Sequence, residues 1–291
     1  MICAQSITRA NINKAISFCL QYEEISINLL SFLIEEKNLL FNNTGNYLNN
    51  AHVFYLDKKI IGLAAINKHK FFVYCLPSHN EEMYELILKL FDFSFVFAMM
   101  GESSFQINLK NYLKGKTNIC FEKIVAYILM TKCIDFSFRP IKPCTYIEDI
   151  KIRKAKISDK DSLLNLQVGY EREEILENAK AYPKAFSLIN LEKILKNETM
   201  YIALLKDVPI AKANTNAKGI NFWQIGGVYT LAHYRRCGIG TYVLSSLLSH
   251  IYKIEKKHVA LFVKVKNKAA IEMYKRIGFI RKANFSITYL R

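Results

Sequence analysis

Residues 235–241 read Arg-Arg-Cys-Gly-Ile-Gly-Thr and stand between an aromatic, β-branched run and an amphipathic stretch. The run, Phe222–Thr230, has the composition that strands prefer. After the turn, Val243, Leu244, Leu247, Leu248 and Ile251 recur at helical spacing and define one apolar face. Strand, basic glycine turn, helix: this order constrains the chain more than any other segment. Gly238 and Gly240 carry no Cβ, so a ligand can approach their backbone closely. The opening turn of a helix offers unpaired N–H groups and the positive end of a dipole, an environment suited to phosphate oxygens. Arg235 and Arg236 add charge beside it. The segment reads as a pyrophosphate cradle, although Gly-x-Gly alone also occurs in ordinary tight turns.

A second pattern follows. Residues 267–279 read Asn-Lys-Ala-Ala-Ile-Glu-Met-Tyr-Lys-Arg-Ile-Gly-Phe. The first segment, from Val228 to Gly240, resembles the Arg/Gln-x-x-Gly-x-Gly/Ala acetyl-CoA motif of the GNAT (GCN5-related) N-acetyltransferases, with Arg235, Gly238 and Gly240 in the defining places. The second is similar to that family's Asn-x-x-Ala-x-x-x-Tyr-x-x-x-Gly-Phe signature. Two positions depart from the pattern: Ala232 stands where Pro is frequent, and Arg236 where Gly is frequent. Neither supplies an essential side chain, so the expectation is an altered loop entry with cofactor binding kept.

The resemblance covers residues 151–291 and implies an α/β fold (a mixed α+β sheet) of the GNAT acyl-CoA N-acyltransferase type. More loosely, the whole chain is similar to tandem proteins in which a degenerate GNAT-like domain precedes the active one. The expected organisation is a degenerate domain at 1–140 without a CoA loop, a linker at 141–150 and a catalytic domain at 151–291. Phe138–Pro143, with Pro140 and Pro143, disfavours both helix and strand interior there. Beyond it, Ile150–Ala155 alternates as a strand, Ser158–Asp161 caps a helix bearing Leu163, Leu164 and Leu166, and a helix through Leu188–Lys196 leads to paired strands Met200–Leu205 and Ile210–Thr215. In the first half, Val53–Leu56 and Ile60–Ala65 echo that hairpin, with a strand at Phe71–Leu76 and a helix across Glu82–Phe91. Between Cys75 and Glu82 there is Pro77 but no Gly-x-Gly and no arginine, hence no means of cradling a pyrophosphate. An unrelated α+β domain with coincidental hairpin spacing is the competing reading of that half.

The resemblance implies acetyl-CoA as cosubstrate and roles for particular residues. Val228, Tyr229 and Thr230 pair by backbone with pantetheine. The loop Arg235, Arg236, Cys237, Gly238, Ile239, Gly240 and Thr241 holds the pyrophosphate. Asn267 and Ala270 lie at the pantetheine-contact end of the second motif. Tyr274 faces the CoA sulfur, where a phenol protonates the leaving thiolate; packing of its ring in the core is the alternative. The strand entering the first motif, where relatives carry a Glu, offers only Gln224, which accepts no proton at neutral pH. The remaining carboxylates, Glu173 and Glu174, are the candidates to attract a cationic amine and relay its proton. Tyr170 and Glu171 line the expected acceptor pocket, and a solvated helix face is the alternative for this whole cluster.

Charge and cysteine add bounds. Residues 151–291 hold 26 Lys/Arg against 11 Asp/Glu, whereas residues 1–150 hold 15 against 14, so nearly all of the +16 excess accompanies the cofactor motifs. A field of that sign steers a polyanion such as CoA inward. Nucleic acid is the rival, without a recognition-helix or aromatic-basic pattern to support it. Seven scattered cysteines form no C-x-x-C pair and read as reduced thiols. Cys237 lies beside two arginines, which lower a thiol pKa, but at a variable position of the motif. The most apolar stretch, Leu86–Met100, is broken by Lys89 and Asp92, and no signal peptide is evident. The expected protein is cytoplasmic and metal-free, acts on a small amine or amino-acid-like acceptor, and is compatible with a homodimer. Acyl transfer to a thiol or cell-wall precursor and non-catalytic acyl-CoA sensing stay open.

Overall fold

The structure, a computed structural model, describes residues 1–42, 47–68, 70–143, 149–175 and 184–291. It divides into two compact units. The first comprises Met1–Met130, Phe262–Ile271 and Arg281–Arg291; the second comprises Thr131–Leu261 and Glu272–Ile280. Residues 144–148 of the expected linker, and Cys144 with them, lie outside the described residues.

The chain begins with β1 (Ile2–Thr8), α1 (Ile12–Leu20), α2 (Glu23–Asn42), β2 (Tyr47–Leu56), β3 (Lys59–Ile66), β4 (Phe71–Cys75), α3 (Glu81–Leu90), β5 (Ala98–Glu102), α4 (Ser103–Lys114) and β6 (Phe121–Lys132). The same sequence of types then repeats: β7 (Ile150–Lys154), α5 (Lys160–Tyr170), α6 (Lys184–Asn197), β8 (Met200–Leu205), β9 (Val208–Lys218), β10 (Phe222–Thr230), α7 (Ile239–His250), β11 (His258–Lys264), α8 (Lys268–Ile277) and β12 (Ile280–Leu290). The hairpin echo seen in the first half is thus part of a full repeat.

In the first unit the strands run β1-β2-β3-β4-β5-β12-β6. β12 pairs antiparallel with β5, Phe285 opposite Glu102 and Tyr289 opposite Ala98. Helices cover both faces, because successive strand residues point to opposite sides. Val53 belongs to the core that holds Ile12, Ala15, Leu29 and Leu33, while its neighbour Phe54 belongs to the separate core of Phe72, Met83, Ile87 and Phe105. Asn80 caps α3, accepting a hydrogen bond from the Met83 N–H at 3.0 Å. The connection from β4 to α3 therefore ends in an ordinary cap.

The second unit orders its strands β11-β10-β9-β8-β7. Leu163, Leu166 and Leu191 of α5 and α6 pack on Met200, Ile202, Leu204 and Tyr229. α7 packs on β8, β9 and β10 through Val243, Leu244, Leu247 and Leu248, all fully buried. The N-cap of α5 is Asp159, within the expected segment Ser158–Asp161, but its side chain makes no cap hydrogen bond to the helix. A short 3-10 turn, Ile157–Asp159, precedes that helix, and Asp159 instead accepts from the Lys156 N–H (2.7 Å) and from both terminal nitrogens of Arg153 (2.7 Å each). An arginine on the adjacent strand outcompetes the helix for this carboxylate.

Candidate functional site

β10 is interrupted at the point where the sequence places the pantetheine strand. Its register against β9 shifts between Gly226 (opposite Asn214) and Tyr229 (opposite Lys212), leaving one extra residue on β10, a β-bulge. Gly227 takes φ +55°, and a Cβ there would fall 1.9 Å from Asn214 Oδ1. Only glycine fits. The Gly226-Gly227 pair inside a strand was a legible bulge signal that the sequence reading did not use. Parallel pairing with β11 is seen from Phe222/His258 to Ile225/Leu261, whereas Tyr229 and Thr230 pair with Lys212 and Ala211 of β9 and Val228 falls within the bulge.

Past Thr230, a 3-10 turn at Ala232–Tyr234 leads into the glycine loop. Arg236 adopts φ +62°, the left-handed region where glycine is ordinarily preferred, which accounts for the motif's frequent Gly at that position; the arginine here keeps the same backbone conformation. Gly238 (φ +76°) is the N-cap of α7, and the Tyr242 N–H returns to its carbonyl at 3.0 Å. The N–H groups of Ile239, Gly240 and Thr241 precede that first intrahelical bond. Gly240 has a different reason to lack a side chain, since a Cβ would sit 3.1 Å from Thr230 Oγ1. The Cys237 thiol donates to the Arg235 carbonyl at 3.4 Å.

Arg235 faces the acidic cluster after α5. Its guanidinium donates to both Glu173 oxygens at 2.8 Å, its Nε donates to the Thr230 carbonyl at 2.9 Å, and it stacks over the Tyr229 ring at 5.3 Å. The Tyr229 hydroxyl also donates to Glu173, at 2.8 Å. Burial pushes the Glu173 carboxyl up, but the Arg235 and Tyr229 hydrogen bonds outweigh it and the net shift is downward. Glu171 is buried instead: Gln167 (2.8 Å), Asn190 (3.2 Å) and the Ser187 hydroxyl all donate to its carboxylate. Residues Glu171–Ile175 form a π-helical turn, which separates these acidic side chains from the α-helical spacing that the sequence implied.

Tyr274 projects from α8 and is 8% exposed. Burial is the main cause holding its phenol well above the ordinary value, with Tyr170 and Glu174 adding to the effect. The hydroxyl thus stays protonated throughout the neutral range, as a proton donor requires. Burial likewise pushes half-buried Tyr170 up to about 12, although the Gly227 N–H donates to it. Asn267 stands at the head of α8, where its side chain accepts from the Ala270 N–H at 3.1 Å. Gln224 is buried on β10.

One residue here escaped sequence reading altogether. Lys212 of β9 is fully buried, with Nζ donating to Asn214 Oδ1 at 3.1 Å and lying 4.7 Å from the Tyr170 ring centroid. Among the described residues no group of His, Cys, Asp and Glu is arranged to hold a metal, and no helix is long and apolar enough to cross a membrane.

Residues 213–286, which span the bulged strand, the glycine loop and α8, match the FR47-like protein family. Over 145 residues the chain is 26% identical to an N-alpha-acetyltransferase of Sulfurisphaera tokodaii, covering 45% of this chain and 81% of that one. A Drosophila protein of known structure shares the fold with TM-score 0.70 at 12% identity, over 98% of each chain. A GCN5-related N-acetyltransferase from Sphaerobacter thermophilus does so with TM-score 0.62 at 13% identity, over 99% of this chain and 94% of that one. A tandem GNAT protein from the clavulanic acid biosynthesis pathway gives TM-score 0.55 at 8% identity, over 99% and 98%. The repeated element order and these likenesses give the chain the fold of the GNAT-type acetyltransferases, tandem proteins included.

Proposed function

We propose that the protein transfers the acetyl group of acetyl-CoA directly to a primary amine. The observation that carries this reading is the conjunction in the second unit of a bulged strand, a helix opening through Gly238 and Gly240, and a buried, protonated Tyr274. Backbone groups of Val228–Thr230 would hold the pantetheine arm, N–H groups from Arg236 to Thr241 the pyrophosphate, and Asn267 and Ala270 the contacts their motif implies. Acetyl-CoA supplies the activated acyl group. The chain's own part is to fix that thioester at the bulge, admit the amine and manage two protons. Tyr274 gives one proton to the leaving sulfur.

On the acceptor side, Tyr170 and Glu171 shape the pocket, and the carboxylates of Glu173 and Glu174 draw in a cationic amine. The ion pair with Arg235 sets Glu173 to attract charge rather than to take a proton, because a carboxylate held low is a weak base. The first 140 residues, with a plain Asn80 cap where a phosphate loop would stand, bind no CoA. The protein would work in the cytoplasm, free of membrane and nucleic acid.

Release of thiol from acetyl-CoA tests this, measured against amines, amino acids, polyamines and short peptides with a free α-amine. Peptides join the panel because of the name carried by the Sulfurisphaera relative. Turnover with at least one amine is expected. A folded protein that binds acetyl-CoA and releases no thiol with any of them would leave acyl-CoA sensing as the better reading.

A further inference from the structure

A transferase with Gln224 on its entering strand and Glu173 tied to an arginine still needs somewhere to put the amine's proton. The Gly226–Val228 bulge has an amine directly behind it. A Cβ on Gly227 would fall 2.8 Å from Lys212 Nζ, so that nitrogen lies against the backbone of the bulge itself. Full burial of a lysine is rare, because removing an ammonium from water costs several kcal/mol unless it is fully paired.

The surroundings do not pair it fully. Across β8 it faces Ile202, and across β10 it faces Tyr229, whose hydroxyl is given to Glu173. On its own strand Asn214 accepts one hydrogen bond. From α5 comes the Tyr170 ring, and from the π-turn the charge of Glu171, whose oxygens already accept from three other side chains. Glu174 and Glu171 act on Tyr170, which in turn acts on Tyr274 of α8, and Arg235 is neutralised by Glu173. The ring face and Glu171 favour the ammonium form, but burial dominates and brings the Lys212 amine down to about 7.

Resting on the transferase reading above, we propose that Lys212 is the proton-holding residue of acetyl transfer, taking through one bridging water the proton that the acceptor's ammonium must lose. Lys212 Nζ gains that proton and the acceptor becomes a neutral amine. The amine's lone pair then forms the N–C bond to the thioester carbonyl, and the C–S bond breaks. Tyr274 gives its proton to the sulfur and regains one from the nitrogen of the new amide, while Lys212 later returns its proton to solvent. Protons and bonds balance without a further reactant. Gly227 takes part by its bareness: any side chain there would sit between the lysine and the acyl group.

The test uses the full chain and the thiol-release panel, with kcat/KM followed from pH 5.5 to 9. The unaltered protein should show an inflection near 7, rising with pH as Lys212 deprotonates. Lys212→Met keeps an unbranched side chain one atom shorter and removes the amine. Lys212→Arg keeps a charge that does not titrate. Both should lose about 10²-fold at pH 8 and lose the inflection, the usual scale for a positioned base, while acetyl-CoA affinity and melting temperature hold in Lys212→Met; the permanent buried charge of Lys212→Arg lowers the melting temperature. A structural lysine would move stability and leave the profile alone. Titration of the Lys212 side chain by ¹³C NMR, assigned through Lys212→Arg, gives a second readout free of any acceptor. Retained turnover and inflection in Lys212→Met, or an amine titrating near its ordinary value of 10.5, overturns the proposal while leaving the transferase reading intact. Absence of turnover in the unaltered protein with every amine instead removes the transferase reading, and this proposal with it.

Discussion

Glu173 and Arg235, 62 residues apart, form a two-point ion pair at 2.8 Å that ties the turn after α5 to the entry of the glycine loop. Both side chains are more than two-fifths exposed, so solvent screens the pair and its worth to folding is at most about 1 kcal/mol. Its significance is geometric, since it sets where the acidic cluster sits beside the glycine loop.

Glu173→Gln is therefore expected to change the melting temperature only slightly at pH 7. The sign of the pH dependence is fixed by the downward shift of Glu173. A carboxylate held low contributes stability above its unfolded value, and the contribution fades as pH falls through the folded value. The gap between the unaltered and Gln proteins should be present at pH 7 and narrower at pH 3. Melting curves at the two pH values check this, and a gap that widens in acid contradicts it.

On the proposed reading, Tyr274→Phe removes a hydroxyl that acts only on the departing sulfur. Turnover should fall about 10²-fold with acetyl-CoA affinity nearly unchanged, because the loss is one of transition-state stabilisation. Calorimetry beside thiol-release kinetics separates the two quantities. Lost CoA binding would make Tyr274 a packing residue.

Gly227→Ala places a methyl group into Asn214 and forces an alanine to φ +55°. The strain alone is of order 1–3 kcal/mol. The variant should melt several degrees lower and lose turnover. Normal stability and activity together would show that the bulge has no role.

Asp159→Ala breaks three hydrogen bonds at once, two from Arg153 and one from the Lys156 backbone. Loss of a comparable helix cap costs about 1 kcal/mol, and a charge-assisted pair raises that toward about 2 kcal/mol here. Urea unfolding of the full chain measures it. Since α5 carries Tyr170, a parallel fall in turnover is expected.

The strand–loop–helix core of the site was legible because each part is local: aromatic strand, glycines, amphipathic helix. What lay hidden depended on distant partners. Lys212 alternates with Asn214 and Asn216 along β9, a pattern that reads as a solvated strand face, and only the packing of α5 covers it. The pairing of β12 with β5 joins residues more than 180 positions apart, and no local signal announces such a partner. The acidic run after α5 looked like a helix face until the π-turn re-aimed it, separating buried Glu171 from half-exposed Glu173. The segment Ser158–Asp161 does start α5, with Asp159 as its N-cap, but Arg153 on the neighbouring strand takes the Asp159 carboxylate that would otherwise bond the helix.

The central claim is that the loop from Arg236 to Thr241 grips the pyrophosphate of acetyl-CoA. Because Arg281–Arg291 is counted with the first unit, the full chain is the proper sample. Isothermal titration with acetyl-CoA, beside acetyl-pantetheine that lacks the phosphates, addresses it directly. The account predicts one site per chain with Kd between about 1 µM and 1 mM, and at least a tenfold weaker response to acetyl-pantetheine. Equal affinity for both ligands, or no heat from acetyl-CoA with a folded protein, would contradict it.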